Sequence, residues 1–170
     1  MAHGRETSAR PLRSAERARR PPGLSSGPMS HSLSRVFVHL VWSTKRRVQL
    51  IAESHDPALR ALYLARSEKL SAELLAFGAS DDHVHLAVRM ALTRSIAEVV
   101  RAFKSESAVV LARRLGDPSF RWQSGYAAFS IDPENATPLL DYVERQREHH
   151  RTGDSLDAWE QIERDDESSG

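Results

Sequence analysis

Residues 73–90 read ELLAFGASDDHVHLAVRM, and this stretch decides the fold. Two apolar runs of strand length, residues 73–79 and 83–90, are separated by the short polar segment SDD. So short a loop between two strand-like runs predicts a β-hairpin. In the second run, alternation sends Val84 and Leu86 to one face of the sheet and both histidines to the other.

A helix is predicted on each side of this hairpin. Upstream, Asp56 and Pro57 provide N-cap and first-turn chemistry for a helix. Its apolar residues recur at helical spacing, at Leu59, Leu62, Tyr63 and Leu70. Downstream, Ser95 and Glu98 form a capping-box pair ahead of a second apolar stripe, which Gly116 ends.

Strands and one more helix complete the pattern at the outer ends. Residues 36–42 (VFVHLVW) are apolar on both faces, as is typical of a central strand. Residues 126–131 (YAAFSI) predict a fourth strand, and Thr137 with Pro138 begins a last helix that extends to His150. The order β α β β α β predicts an α+β, ferredoxin-like fold. Its four-stranded antiparallel sheet would carry two helices on one face and leave the other face open.

The two ends of the chain differ in composition from the middle. The length of 170 residues has room for one ordinary domain. Residues 1–30 carry six arginines against two glutamates and few large apolar side chains, which predicts a disordered basic arm. Residues 152–170 are predicted to be an acidic tail. The folded domain is therefore expected at residues 31–151.

Composition excludes several classes of protein. The chain has no cysteine, which excludes disulfide scaffolds and cysteine-bound zinc. No run approaches the roughly 18 apolar residues of a membrane span, and no secretory signal is present, so we expect a cytoplasmic protein without membrane contact. The sequence also lacks a glycine-rich phosphate loop and a G-x-S-x-G elbow, which leaves nucleotide hydrolases and esterases without support.

Two pairs of residues are candidates for chemistry. His83 and His85 share one face of a strand and are spaced to bind one divalent ion, although a surface histidine pair would give the same pattern. Tyr142 and Gln146 lie four residues apart, which stacks them on one face of the last helix. A phenol beside an amide suits a nucleophile next to a metal ligand, and ordinary helix packing explains the pair as well.

Basic side chains form a third feature. They follow the first strand, lie along the second helix and include one arginine next to a tryptophan. Such a set suits single-stranded nucleic acid, because charge holds the phosphates and rings stack on the bases. A solvated helix face is the alternative. The set comprises Lys45, Arg46, Arg47, Arg94, Arg101, Lys104, Arg113, Arg114 and Arg121, with Trp122 beside the last of these.

Taken together, these segments resemble one family, the single-tyrosine HUH (histidine, hydrophobic, histidine) transposases. This family includes the REP-associated tyrosine transposases and moves insertion sequences as single-stranded DNA. The resemblance covers about residues 35–151. It is carried, in order, by HLVWSTKRR (39–47), DDHVHL (81–86), SIAEVVRAFKSES (95–107), FRWQSGYAAFSI (120–131) and DYVERQREHHR (141–151).

The resemblance implies a mechanism for the residues that match. His83, His85 and Gln146 would bind a divalent ion, Mg²⁺ or Mn²⁺, at the scissile phosphate. Tyr142 would be the nucleophile and form a 5′-phosphotyrosine, releasing a 3′-OH. Because the covalent bond conserves the phosphodiester energy, the strands would be rejoined without a nucleotide cofactor.

The resemblance also implies partners. It implies a homodimer that acts on single-stranded DNA hairpins at element ends. Charge and motif position then make seven residues the candidates for DNA contact, namely Lys45, Arg46, Arg47, Arg101, Lys104, Arg121 and Trp122. Three functions fit the sequence. They are an active transposase, a domesticated host enzyme that processes palindromic repeats, and a non-catalytic protein that binds hairpin DNA.

Overall fold

The computed structural model describes residues 36–153, and these form a sheet with four helices. The predicted arm at residues 1–30 lies outside the described residues, as does the predicted tail apart from its first two residues. The strands and helices are β1 (Val36–Ser43), α1 (Asp56–Leu70), β2 (Ala72–Ala79), β3 (His83–Met90), α2 (Ile96–Leu115), β4 (Ala127–Ile131), α3 (Ala136–Glu144) and α4 (Gln146–Thr152). Short 3₁₀ turns lie at Lys45–Arg47, Glu53–His55 and Pro133–Asn135.

The four strands form one antiparallel sheet in the order β2-β3-β1-β4. The apolar strand β1 is central, as predicted, and pairs with β3 from Val36↔Met90 to Ser43↔His83. On its other side, β1 pairs with β4. The β2–β3 hairpin places Gly78 opposite His85. This topology confirms the predicted ferredoxin-like α+β fold.

The main core lies between the sheet and the helices α1 and α2. Every second residue of the central strands points into it, including Leu40, Trp42, Val84 and Leu86. The aromatic ring of Tyr63 from α1 meets Trp42 edge-on at 6.1 Å between ring centroids. The predicted inward orientation of Val84 and Leu86 is therefore confirmed.

The second face of the sheet is partly covered by α3. Leu139 and Val143 of α3 pack against Ala76, Ala87 and Ile131 of the sheet. We predicted that this face would stay open, and that prediction is wrong for the part beneath α3. The cause is the apolar side of α3, which gains stability by leaving water.

The C-terminal helix is not continuous. We predicted one helix from Thr137 to His150, but the chain breaks at Arg145, whose φ of −101° and ψ of 23° are not helical. The result is two short helices, α3 and α4. Neither proline nor glycine occurs at the break, which left no local signal for it.

The predicted ends of the earlier helices are correct with one exception. The Ser95–Glu98 capping box is present at the start of α2, and Gly116 ends that helix with a φ of 65°. Asp56 was predicted to cap α1, but the cap position is His55 and Asp56 is the first helical residue. The Asp56 carboxylate accepts hydrogen bonds from Arg147 instead. Within residues 36–153, no helix has the length and apolar character required to cross a bilayer.

Candidate active site

Two histidines of β3 lie on the sheet face that α3 covers in part. The rings of His83 and His85 are 4.9 Å apart between centroids and are fully buried. They share a face because they are two residues apart on one strand. His39 of β1 is stacked on His85, and its Nε2 lies 2.9 Å from His85 Nδ1.

An acidic residue orients the first of these histidines. His83 Nδ1 lies 2.5 Å from a carboxylate oxygen of Asp82. Burial alone would raise the pKa of Asp82, but its bond with His83 and the nearby Arg47 hold that pKa below its ordinary value. The ionised carboxylate accepts the hydrogen bond, so His83 donates through Nδ1. This leaves Nε2 as the nitrogen with which His83 can bind an ion.

The environment keeps the second histidine neutral. Burial lowers the pKa of His85 well below its ordinary value, and His83, His39 and His150 act in the same direction. Neutral imidazole is the form that binds metal ions. Since His39 occupies the Nδ1 side of His85, Nε2 is the nitrogen with which His85 can bind an ion.

Tyr142 of α3 reaches this histidine pair. Its ring lies edge-on to His85, with 6.3 Å between centroids, and only 4% of the residue is exposed. On its other side, His149 stacks on the tyrosine at 4.6 Å and 24° between ring planes. The phenol and the histidines therefore meet within one chain.

Gln146 begins α4 and is fully buried beside the same strands. Its position follows from Gly78, the β2 residue opposite His85. A Cβ atom on Gly78 would lie 2.9 Å from the Cβ of Gln146 and 1.8 Å from the carbonyl oxygen of Val143. The α3–α4 junction thus lies directly on the strand next to His85. The structure brings Gln146 near the histidines although the predicted unbroken helix is absent.

Arg147 holds α4 in place. Its guanidinium donates two hydrogen bonds of 2.8 Å to the Asp56 carboxylate at the start of α1. It donates further bonds of 2.9 Å to Asp81 and to the carbonyl oxygen of Ile51. A guanidinium with this number of partners has one preferred position, so Arg147 also fixes the course of the residues that follow it.

Sequence reasoning missed two histidines. His39 was included in an apolar strand. The available signal was that His39 is the one polar residue of the run VFVHLVW and lies, by strand alternation, on the face of the sheet that α3 covers in part. His150 had no assigned role, yet its Nε2 lies 3.1 Å from Nε2 of His83. We call His39, His83, His85 and His150 the imidazole cluster.

The donor chemistry of the cluster fits a divalent ion. Its imidazole nitrogens are ordinary ligands of such ions, and the buried rings of His83 and His85 are oriented by neighbouring side chains, as metal-binding histidines usually are. Among residues 36–153, no three or more His, Asp or Glu side chains already converge in the geometry of a bound ion. The fit therefore rests on which donors are present and how their rings are held.

The predicted DNA-binding residues fall into two groups. Lys45, Arg46 and Arg47, which we call the basic turn, are exposed directly after β1. The turn adjoins the site, because the preceding Thr44 donates its backbone N–H to the carbonyl oxygen of Asp82 at 2.7 Å. Arg101 and Arg121 are also exposed.

Lys104 and Trp122 have structural contacts instead. The Lys104 ammonium donates hydrogen bonds of 2.6 to 3.1 Å to three consecutive carbonyl oxygens at residues 123–125. Trp122 is 8% exposed, packs edge-on against Trp42 and donates its indole N–H to Ser107. A ring buried in this way does not stack on a base, so we correct the prediction for Trp122. Because the Lys104 ammonium is already engaged by backbone carbonyl groups, Lys104 is not part of the DNA-binding surface proposed below.

Comparisons with known proteins agree with this fold. The family model described as IS200-like transposase matches residues 32–146, whereas no curated protein matches significantly. A Deinococcus radiodurans R1 protein assigned as a transposase is similar in structure, with a TM-score of 0.54, 21% identity, and coverage of 69% of this chain and 95% of that one. A REP-associated tyrosine transposase bound to a REP hairpin has a TM-score of 0.53 and 13% identity, with coverage of 69% and 68%. Because the family match spans more than half of the sequence, this chain belongs to the IS200-like transposase family.

Proposed function

We propose that this transposase cleaves and rejoins hairpin-bearing single-stranded DNA through a covalent bond to Tyr142. The observation that carries the proposal is the edge-on contact of the Tyr142 ring with His85, next to His83. A phenol beside two oriented imidazoles is suited to attack on a phosphodiester. One structural relative is a transposase bound to a REP hairpin, which supports hairpin DNA as the substrate.

Each residue of the site has a role in the proposed reaction. His83, His85 and Gln146 hold a divalent ion, Mg²⁺ or Mn²⁺, with Asp82 and His39 orienting the two histidine rings. The bound ion supplies Lewis-acid polarisation of the phosphoryl oxygens. The Tyr142 oxygen bonds to phosphorus, the bond from phosphorus to the 3′ oxygen breaks, and the proton of the phenol passes to that leaving oxygen. Attack by a 3′-OH reverses these changes and rejoins the strand without a nucleotide cofactor.

Access to the site requires movement. His83 and His85 are fully buried beneath α3 and α4, and Gln146 at the start of α4 is fully buried as well, so a phosphate reaches them only after one of these helices shifts. We propose that the protein acts as a homodimer at element ends. In this chain, Tyr142 lies beside the histidines of its own sheet.

Metal dependence tests the proposed function. Full-length protein is incubated with a 3′-labelled single strand that carries the hairpins flanking its own gene. With Mg²⁺ or Mn²⁺, a covalent protein–DNA band is expected on a denaturing gel. Since the ion would supply the Lewis-acid polarisation of the phosphate, a chelator should reduce the band by at least about 100-fold. Adding the ion back should restore it.

A control strand sharpens this test. A strand of equal length without a hairpin separates hairpin recognition from general binding. A band of equal strength in chelator would contradict the proposed role of the ion. Hairpin binding without a band under any condition would favour the non-catalytic alternative.

An element with matching ends around the gene distinguishes a mobile transposase from a domesticated enzyme.

The basic turn is proposed as the DNA-binding surface next to the site. Reversing two charges, in Lys45→Glu with Arg46→Glu, should weaken hairpin binding by at least about 10-fold at low salt. A plot of the logarithm of the association constant against the logarithm of the salt concentration has a negative slope. The magnitude of this slope should decrease by about 1.4, because each lost single-strand phosphate contact removes about 0.7. Fluorescence anisotropy over a salt series measures both quantities. Arg47 is left intact, because it donates a hydrogen bond to Asp82.

A matched variant controls for the change in net charge. Lys69→Glu with Arg113→Glu reverses two exposed charges near the ends of α1 and α2. Its salt slope should equal that of the unmodified protein. If both double variants reduce the slope equally, the effect is one of total charge and the basic turn is not the DNA-binding surface.

A further inference from the structure

His150 lies against the proposed metal-binding pair although it is distant from both histidines in sequence. Its Nε2 is 3.1 Å from Nε2 of His83, and the two rings meet edge-on at 4.7 Å between centroids. We propose that His150 is a third imidazole ligand of the ion, beside His83 and His85. This inference rests on the proposed function of that pair and adds a residue and a metal preference to it.

The spacing of the two nitrogens supports shared coordination. Two ligands that bind one ion at a right angle, each at about 2.1 Å, lie about 3.0 Å apart. The observed separation of 3.1 Å between the Nε2 atoms of His83 and His150 is close to this value. The Asp82 carboxylate binds Nδ1 of His83. The Nε2 atom of His83, on the other side of the ring, therefore faces His150.

The position of His150 is built into the fold. Arg147 lies three residues earlier in α4, nearly one helical turn away, and is bonded to α1 and to the β2–β3 turn. Residues three apart lie on the same side of a helix, so this anchor carries His150 over His83. The contact is therefore supported by four separate hydrogen bonds of the Arg147 guanidinium.

A third imidazole changes which ion the site prefers. Mg²⁺ favours oxygen ligands, whereas Mn²⁺ and especially Co²⁺ bind imidazole nitrogen more readily. With three nitrogen donors and one amide, the site should bind Co²⁺ and Mn²⁺ much more tightly than Mg²⁺. Removal of His150 should reduce the difference in affinity between these two ions and Mg²⁺, because nitrogen atoms then make up a smaller share of the ligands.

Titration calorimetry with the metal chlorides alone tests the proposal without any DNA cleavage. In full-length protein freed of metal, His150→Ala should weaken Co²⁺ and Mn²⁺ binding by at least about 10-fold and Mg²⁺ binding by less than about 3-fold. The visible absorption of bound Co²⁺ should also change, since it reports the number of nitrogen ligands. His150→Phe keeps a ring against His83 and should show the same losses.

Neighbouring variants separate the possible results. Arg151→Ala removes an exposed side chain from the same turn of α4 and should leave the affinity for all three ions unchanged. If both His150 variants match the unmodified protein while His85→Ala loses binding, the two imidazoles share only a hydrogen bond and the inference is overturned. If His85→Ala also binds normally, the proposed metal site itself is wrong. Melting curves without metal confirm that each variant is folded.

Discussion

Replacing Tyr142 by phenylalanine is expected to abolish the covalent protein–DNA band and to reduce strand cleavage by at least about 10³-fold. The substitution removes only the oxygen that would bond to phosphorus. The ring keeps its stack on His149 and its edge contact with His85. Stability should therefore fall by no more than about 1 kcal/mol, and hairpin binding should be retained.

The other two tyrosines provide the controls. Tyr126 is 39% exposed just before β4, so Tyr126→Phe removes a more accessible phenol and should leave the band intact. Tyr63 is fully buried in the main core, and burial raises the pKa of its phenol. It therefore offers no ionised or accessible oxygen. Mass spectrometry of the digested band should find the nucleotide on the peptide that contains Tyr142.

A band that persists in Tyr142→Phe at the unmodified level would disprove the assignment of the nucleophile. A band lost equally in Tyr126→Phe would point to a general effect on folding or binding. Anisotropy with the same labelled hairpin distinguishes these cases, because a nucleophile is not required for binding.

The local elements were predictable because their signals lie within short windows. The alternation around His83 and His85 specified both the strand and the face that each side chain occupies. The capping box at Ser95 and Glu98 located the start of α2 to the residue. These patterns in order also predicted the family, and the match over residues 32–146 confirms that prediction.

The details of the site were less predictable because they depend on contacts between distant segments. The break at Arg145 has no proline or glycine. It accompanies hydrogen bonds from Arg147 to Asp81 and Asp56, which lie 66 and 91 positions earlier in the sequence. The pairing of His150 with His83 spans 67 positions. No periodicity reports such contacts, so a spacing argument paired Tyr142 with Gln146 but did not pair His150 with His83.

Exposure was the other quantity that spacing could not supply. Trp122 next to Arg121 is the pattern of a base-stacking site, yet the indole is part of the core with Trp42. Lys104 lies at a partly buried position of α2 and binds backbone carbonyl groups. Both residues are typical of DNA contact by type, and only their surroundings show that they have structural roles.

A single methyl group at Gly78 should disable the site. Its Cβ would lie 1.8 Å from the carbonyl oxygen of Val143 and 2.9 Å from both the carbonyl carbon of that residue and the Cβ of Gln146. Backbone atoms cannot rotate out of the way as a side chain can. In Gly78→Ala the α3–α4 junction must therefore move off the sheet, or β2 must shift beneath it.

Either movement affects the groups that we propose to react. Tyr142 precedes Val143, and His85 is the β3 residue opposite Gly78, so the displacement separates the phenol from the imidazoles. A misplacement of about 1 Å commonly costs about 100-fold in rate, and we expect at least that loss of covalent band. Overpacking should also lower the free energy of unfolding by about 1 to 3 kcal/mol, measured by chemical denaturation.

Gly125→Ala is the matched control, because a Cβ there would meet only the Gln123 side chain, at 3.9 Å. It should retain both stability and band. Gly78→Ala should still bind the hairpin, because the basic turn follows β1 and none of its residues is among those that a Cβ on Gly78 would meet. Retained binding with a lost band would show that the methyl group acts on the position of Tyr142. Unchanged band strength and unfolding free energy would instead mean that α3 does not rest on β2 when the enzyme reacts. The nucleophile would then act from a position other than the one beside its own histidines.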